Sequence, residues 1–212
     1  MATVQERAST GTIGDKPADP YKAKNYDTEA PVKEKMEALL AFIDRCRYGM
    51  MTTRDTNTGR LASRCMELAA KESNGTDLLF FTNLHTHKVD ELVKDPHVNL
   101  SFVNAAGEWA SVAGSASVVE DRQLVARHYT PTLRAWLGDL GDGEHDGSAA
   151  DPRLGMIRVR METATCSLSG KGVFGAVKDV VAGAVSGKVA EVTKLREITK
   201  EEVDAWRSAE MA

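Results

Sequence analysis

Between Tyr48 and Leu168 the chain is dominated by six short runs rich in β-branched or apolar residues: YGMMTTR, RLASRCMELA, DLLFFT, VNLSFV, EWASVAGSASVVE and GMIRVRMETATCSL. Such runs bounded by turn residues predict strands. The connections Asn57-Thr58-Gly59, Ser73-Asn74-Gly75 and Ala105-Ala106-Gly107 carry the glycines that hairpin turns need. A doubly wound parallel sheet needs a helix between most strands, and these connections are too short for that. The fold class is therefore mainly β: a six-stranded antiparallel barrel with helices outside it.

The helices lie around this block. A start signal at Asp27 or Thr28, with Glu29 and Pro31 in the first turn, opens a helix whose Val32, Met36, Leu39, Leu40 and Ile43 form one buried face. Arg45 and Arg47 near its end suit the helix dipole. Short helices are expected near Thr86–Lys94 and after Asp121. Thr199-Lys200-Glu201-Glu202 is a capping box for a last helix through Trp206. The expected organisation is a polar flexible tail over residues 1–26, a barrel domain over 27–168 and a helical extension over 169–212. Residues 170–192, rich in Gly, Ala and Val, fit only a weak helix.

The net charge of −4 argues against a general nucleic-acid binder. No apolar run is long enough to span a bilayer, and the first residues lack the apolar stretch of a secretory signal. Three cysteines, odd in number and without a CxxC pair, suggest reduced thiols. A cytoplasmic location is the expectation.

One junction is over-decorated for a plain helix cap. FFTNLHTHKVDEL, from Phe80, joins a strand to a helix and gathers Thr82, Asn83, His85, Thr86, His87 and Lys88. Val89, Leu92 and Val93 read as the helix's inward face, with Thr86 as N-cap. Cations in a first helical turn oppose the dipole, costing about 0.3–1 kcal/mol each unless an anion is present. Free N–H groups, a hydroxyl and Lys88 suit a phosphate there; solvated side chains around an ordinary cap are the alternative. In SRCMEL, Arg64 shares a strand face with Met66 and Leu68. An arginine among apolar neighbours needs an anionic partner, from the protein or from a ligand.

Taken in order, MMTTR, GRLASRCMEL, DLLFFTNLHTHKVDEL, DPHVNLSFV and GEWASVAGSASV resemble the pyridoxamine 5′-phosphate oxidase-like family of FMN-binding split barrels. The likeness is to its general stress protein branch. LRAWLGDLGDGEHDG and TKLREIT resemble the fungal blue-light-inducible proteins of that branch. The resemblance runs from about Asp19 to Arg207. It implies a split-barrel homodimer with FMN at the subunit interface. By that likeness Arg64 reaches the phosphate or ribityl region, and Cys65 and Met66 run beside the flavin ring. Phe81 and Thr82 match an aromatic-Thr pair at the flavin, and Thr86, His87 and Lys88 match the triplet around the phosphate. His87 stands where the oxidases often have Arg, and Trp109 where they carry a Gln near the flavin. Trp136 resembles a Trp in the partner-subunit loop that closes over the site. The oxidases end in a segment containing Trp and Arg, whereas ATCSLSGKGVFG has neither at the matching place, which argues against vitamin B6 oxidation.

Other constellations are weaker. Asp142, Glu144, Asp146 and Gly147 resemble the start of a calcium loop, but its twelfth position is Arg153 where a bidentate Glu belongs. The five histidines show no HxxxH or HExxH spacing, so no metal ligand is assigned, and a haem-binding split barrel is a minor alternative. Cys65 reads as a redox-active thiol beside the flavin or as a small strand residue. No general base stands out, so no catalytic residue is named. Two functions follow: an FMN-dependent oxidoreductase using a nicotinamide or other electron donor, or a flavin-holding stress or light-response protein without turnover.

Overall fold

The computed structural model describes residues 25–169 and 193–209 of the chain. The glycine-, alanine- and valine-rich stretch and nearly all of the N-terminal tail therefore lie outside the described residues. All six expected strands are present: β1 (Tyr48–Arg54), β2 (Leu61–Glu72), β3 (Asp77–Asn83), β4 (His97–Val103), β5 (Trp109–Val119) and β6 (Leu154–Leu168). The pairing order is β3-β2-β1-β4-β5-β6, and β3 pairs again with β6, so the sheet closes on itself as a six-stranded antiparallel barrel. Closure removes the free edges that an open sheet of this size would present.

The long β6 changes partner along its length. Leu154–Arg160 pairs with β3, whereas Ala164–Leu168 pairs with a seventh strand, β7 (Lys194–Ile198). This strand lies within the extension that was expected to be helical. Its short KLREI run buries Arg196 and Ile198, while Arg196 bonds to Asp27 and Glu34. The change of partner on β6 coincides with a bulge opposite β5 between Ala113 and Gly114. At Gly114 a Cβ would run into the carbonyl oxygen of Arg160, so the backbones approach too closely there for any other residue.

Helices cover the barrel. The first, α1 (Val32–Cys46), starts later than expected, with Pro31 at its N-cap and no side-chain cap. Proline fixes the entry angle, and Asp27 is instead engaged by Arg196 and Lys194. Its Met36, Leu39, Phe42 and Ile43 join Met51, Met66, Phe80, Leu100, Phe102, Val112 and Ile157 in one core. After α2 (His87–Lys94), helix α3 (Arg122–His128) begins at Asp121, whose carboxylate caps Gln123 and Leu124. It lays Leu124 and Val125 on Leu79, Leu154 and Met156, a second cluster outside the barrel wall. A 3₁₀ turn (Pro131–Leu133) and a short helix α4 (Arg134–Leu137) precede β6. The last helix, α5 (Lys200–Ser208), has the expected capping box between Thr199 and Glu202. Among the described residues no helix is long and apolar enough to cross a membrane.

Candidate functional site

The junction between β3 and α2 is where sequence and structure meet most closely. Thr86 occupies the N-cap position, but its hydroxyl donates to the carbonyl of Asn83 at 2.8 Å and makes no cap. The first-turn N–H groups of α2 are therefore left without a side-chain acceptor. His87 and Lys88 occupy that turn. The Lys88 ammonium turns towards the barrel and donates to the buried hydroxyl of Thr82 at 2.7 Å.

Arg64 approaches from β2. Its Nη1 donates to Thr53 Oγ1 at 2.6 Å, and its Nη2 lies 3.1 and 3.0 Å from the two carboxylate oxygens of Glu91. Thr53 in turn donates to Glu91 Oε2 at 2.6 Å. The anionic partner that Arg64 needs is thus supplied within the protein, by a glutamate only 4% exposed. Burial works to raise the Glu91 carboxyl, but hydrogen bonds from Thr53 and Arg64 outweigh it and hold it below the usual range. Burial pushes the Lys88 ammonium down, the neighbouring Arg64 charge adds to this, and Glu91 opposes both. Glu91 is thus paired with Arg64, while Lys88, bonded to Thr82 and without a carboxylate ion pair of its own among the described residues, lies within the field of both. His87 Nε2 lies 3.8 Å from Glu91 Oε1.

The structure brings together Arg64, Thr82, Thr86, His87 and Lys88 from the expected set. Cys65, Met66, Phe81, Trp109 and Trp136 lie outside this hydrogen-bonded group. Met66 is buried in the core, so at that point the strand offers only its backbone to anything outside. Cys65 is exposed on the outward face of β2. Phe81 packs against the outer cluster while Thr82 points inward, as adjacent strand residues must. Trp109, 39% exposed, opens β5 on the outward face, and Trp136, 86% exposed, sits on α4.

Thr53 and Glu91 were missed by sequence reasoning. The inward face of α2 is Glu91 and Leu92, and Val93 is 74% exposed, contrary to expectation. Hydrophobicity alone favoured Val93; in the fold Glu91 turns inward to meet Arg64 while Leu92 joins the core. The available signal was an acidic residue three positions after Lys88, which puts both on one helix face.

The acidic loop is used structurally. Asp142 accepts from the backbone of Glu144 and His145, and Asp146 from Ser148. Arg153, at the place of the absent calcium-loop glutamate, is buried against Asp151 and donates to the carbonyls of Leu137 and Gly138.

The pyridoxamine 5′-phosphate oxidase-like family matches residues 34–191. The chain belongs to the pyridoxamine 5′-phosphate oxidase-like family. Its match thus spans the barrel, the β3–α2 junction and α4 with its exposed Trp136. Within this family the chain is similar to Protein bli-3 of Neurospora crassa, 54% identical and covering 95% of this chain and 97% of that protein. Among solved structures, it is similar to a Clostridium acetobutylicum protein related to general stress protein 26 (TM-score 0.56, 15% identity, covering 82% of this chain and 99% of that one). It is also similar to the general stress FMN/FAD binding protein of Xanthomonas citri (TM-score 0.52, 23% identity, covering 63% and 88%). At these identities the structural likenesses show the shared split-barrel fold of the oxidase-like family.

Proposed function

We infer that the protein is a flavoprotein that holds FMN by its phosphate, using Arg64, Lys88 and the uncapped start of α2. One observation carries this: two cations from separate elements converge beside a single carboxylate at a helix N-terminus whose hydroxyl cap is turned away. A phosphomonoester supplies the missing negative charge and accepts several charge-assisted hydrogen bonds. The likeness to an FMN/FAD binding stress protein supports the same ligand class.

Bound FMN supplies hydride or electron transfer, and the reading is therefore an FMN-dependent oxidoreductase. The residues of this chain bind and orient. Glu91 is committed to Arg64 and Thr53 and is held ionised, so it is poorly placed to serve as a general base.

The second half of the site belongs to a second copy of the chain. Tyr48, Met50, Val103 and Trp109 are all exposed on the outward side of adjacent strands, an apolar area of the kind that marks an interface. Trp136 and Leu140 are also exposed and are suited to reach across to a partner's flavin.

The test begins with the visible spectrum of the purified protein and titration with FMN and riboflavin. FMN should bind far more tightly than riboflavin; equal affinity, or no bound-flavin spectrum, sinks the proposal. Anaerobic addition of NADH or NADPH then separates the enzyme from a flavin-holding protein. Rapid bleaching followed by reoxidation with a defined acceptor supports turnover, and an unreduced flavin refutes nicotinamide-driven turnover.

A further inference from the structure

We propose that Glu91 is a positioning residue for phosphate recognition, holding Arg64 in place beside Lys88; the proposal rests on the flavin reading above. Three elements meet at this one carboxylate. Arg64 on β2 reaches both of its oxygens, and Thr53 on β1 donates to Oε2, while Glu91 itself is on α2. The Thr53 hydroxyl also accepts from Arg64 Nη1, so the three side chains form a closed ring of hydrogen bonds.

The ring has a consequence for the anion site. Arg64 and Lys88 repel one another, and with neither anchored the longer guanidinium would swing out to water. Glu91 and Thr53 occupy one edge of the guanidinium and leave Nε and the remaining N–H bonds for an incoming anion. Glu91 and Lys88 lie on the same turn of α2, so the helix that supplies the second cation and the free N–H groups also holds the first cation. Preorganised donors of this kind bind an anion without first being ordered.

The sign of one substitution separates positioning from simple charge. Removing a negative charge near a phosphate should by itself tighten binding. Removing an anchor should loosen it. Glu91→Gln keeps the volume but not two charged acceptors. We expect it to weaken FMN binding about tenfold and to leave riboflavin binding unchanged. In an Arg64→Ala background the same substitution should cost nothing further. Equal or tighter FMN binding by Glu91→Gln overturns the proposal, as does an undiminished loss when Arg64 is already gone. If Glu91→Gln does not fold, Thr53→Val opens the same ring and is read by the same two criteria.

Inorganic phosphate is the flavin-free probe. Wild-type protein should gain thermal stability from it and Glu91→Gln should gain less. Stabilisation by phosphate that depends on Glu91, in a protein that binds no FMN, refutes the flavin reading and upholds this one. FMN binding indifferent to Glu91 does the reverse. A wild type unmoved by either ligand overturns both.

Discussion

Lys88 donates to Thr82 at 2.7 Å, tying the first turn of α2 to the inward face of β3. The bond fixes a cation at a helix N-terminus, where the backbone already carries partial positive charge. Lys88→Ala should therefore weaken FMN binding by about 10–100-fold, the worth of one charge-assisted contact, while sparing riboflavin. Isothermal titration with both flavins checks this.

The same lysine sets an alkaline limit. Its folded-state pKa is lowered from the ordinary 10.5, by burial first and Arg64 second. A lowered ammonium pKa means that the unfolded chain binds more protons in that window, so the Lys88 contribution to flavin-free stability rises with pH. FMN affinity moves the other way, falling as pH climbs through the lowered pKa, earlier than an ordinary lysine would dictate. Lys88→Met should remove both trends, seen by titrating FMN affinity and urea stability between pH 8 and about 10.5.

Arg153 and Asp151 form a buried pair at the end of α4, where Arg153 donates to the carbonyls of Leu137 and Gly138. Hydrogen bonds from Arg153 hold the Asp151 carboxyl well below the usual carboxylate range, against burial. The stabilisation is present above the unfolded value of about 3.8 and is lost as pH falls through the folded one. Arg153→Ala leaves a buried carboxylate unpaired and should lower Tm by on the order of 10 °C at neutral pH. Calorimetry across pH 3–7 should show this difference narrowing towards the acid end.

Gly114 has no room for a side chain because the Arg160 carbonyl faces it across the β5–β6 bulge. Gly114→Ala should destabilise the barrel by about 3 kcal/mol, the upper end of overpacking costs. Gly59→Ala meets no neighbour but retains a positive φ of 71°, and should cost only about 1 kcal/mol. Urea denaturation of both variants checks the ranking.

Trp136 is almost fully exposed, so its removal should leave the unfolding free energy of flavin-free protein within about 0.5 kcal/mol of wild type. If Trp136 covers a partner's flavin, Trp136→Ala will speed flavin release and alter flavin fluorescence. Unchanged release would show that the indole has no such role.

The strands, their hairpin turns and the capping box of α5 were legible in the sequence because each depends on neighbours only a few residues away. Alternation of apolar side chains fixes a strand face, glycine permits a positive φ, and Thr199 meets Glu202 within one turn. The cations of the candidate site were legible for the same reason, as misplaced charges in a local pattern. What answers those charges was not. Glu91 is 27 residues from Arg64, and only the packing of α2 over the barrel brings them together. The same dependence hid β7, which pairs with a strand on the far side of an intervening segment, and placed Val93 outward and Glu91 inward. Local periodicity determined which elements form; the choice of partner for each charge and each edge belongs to long-range register, which only the closed barrel decides.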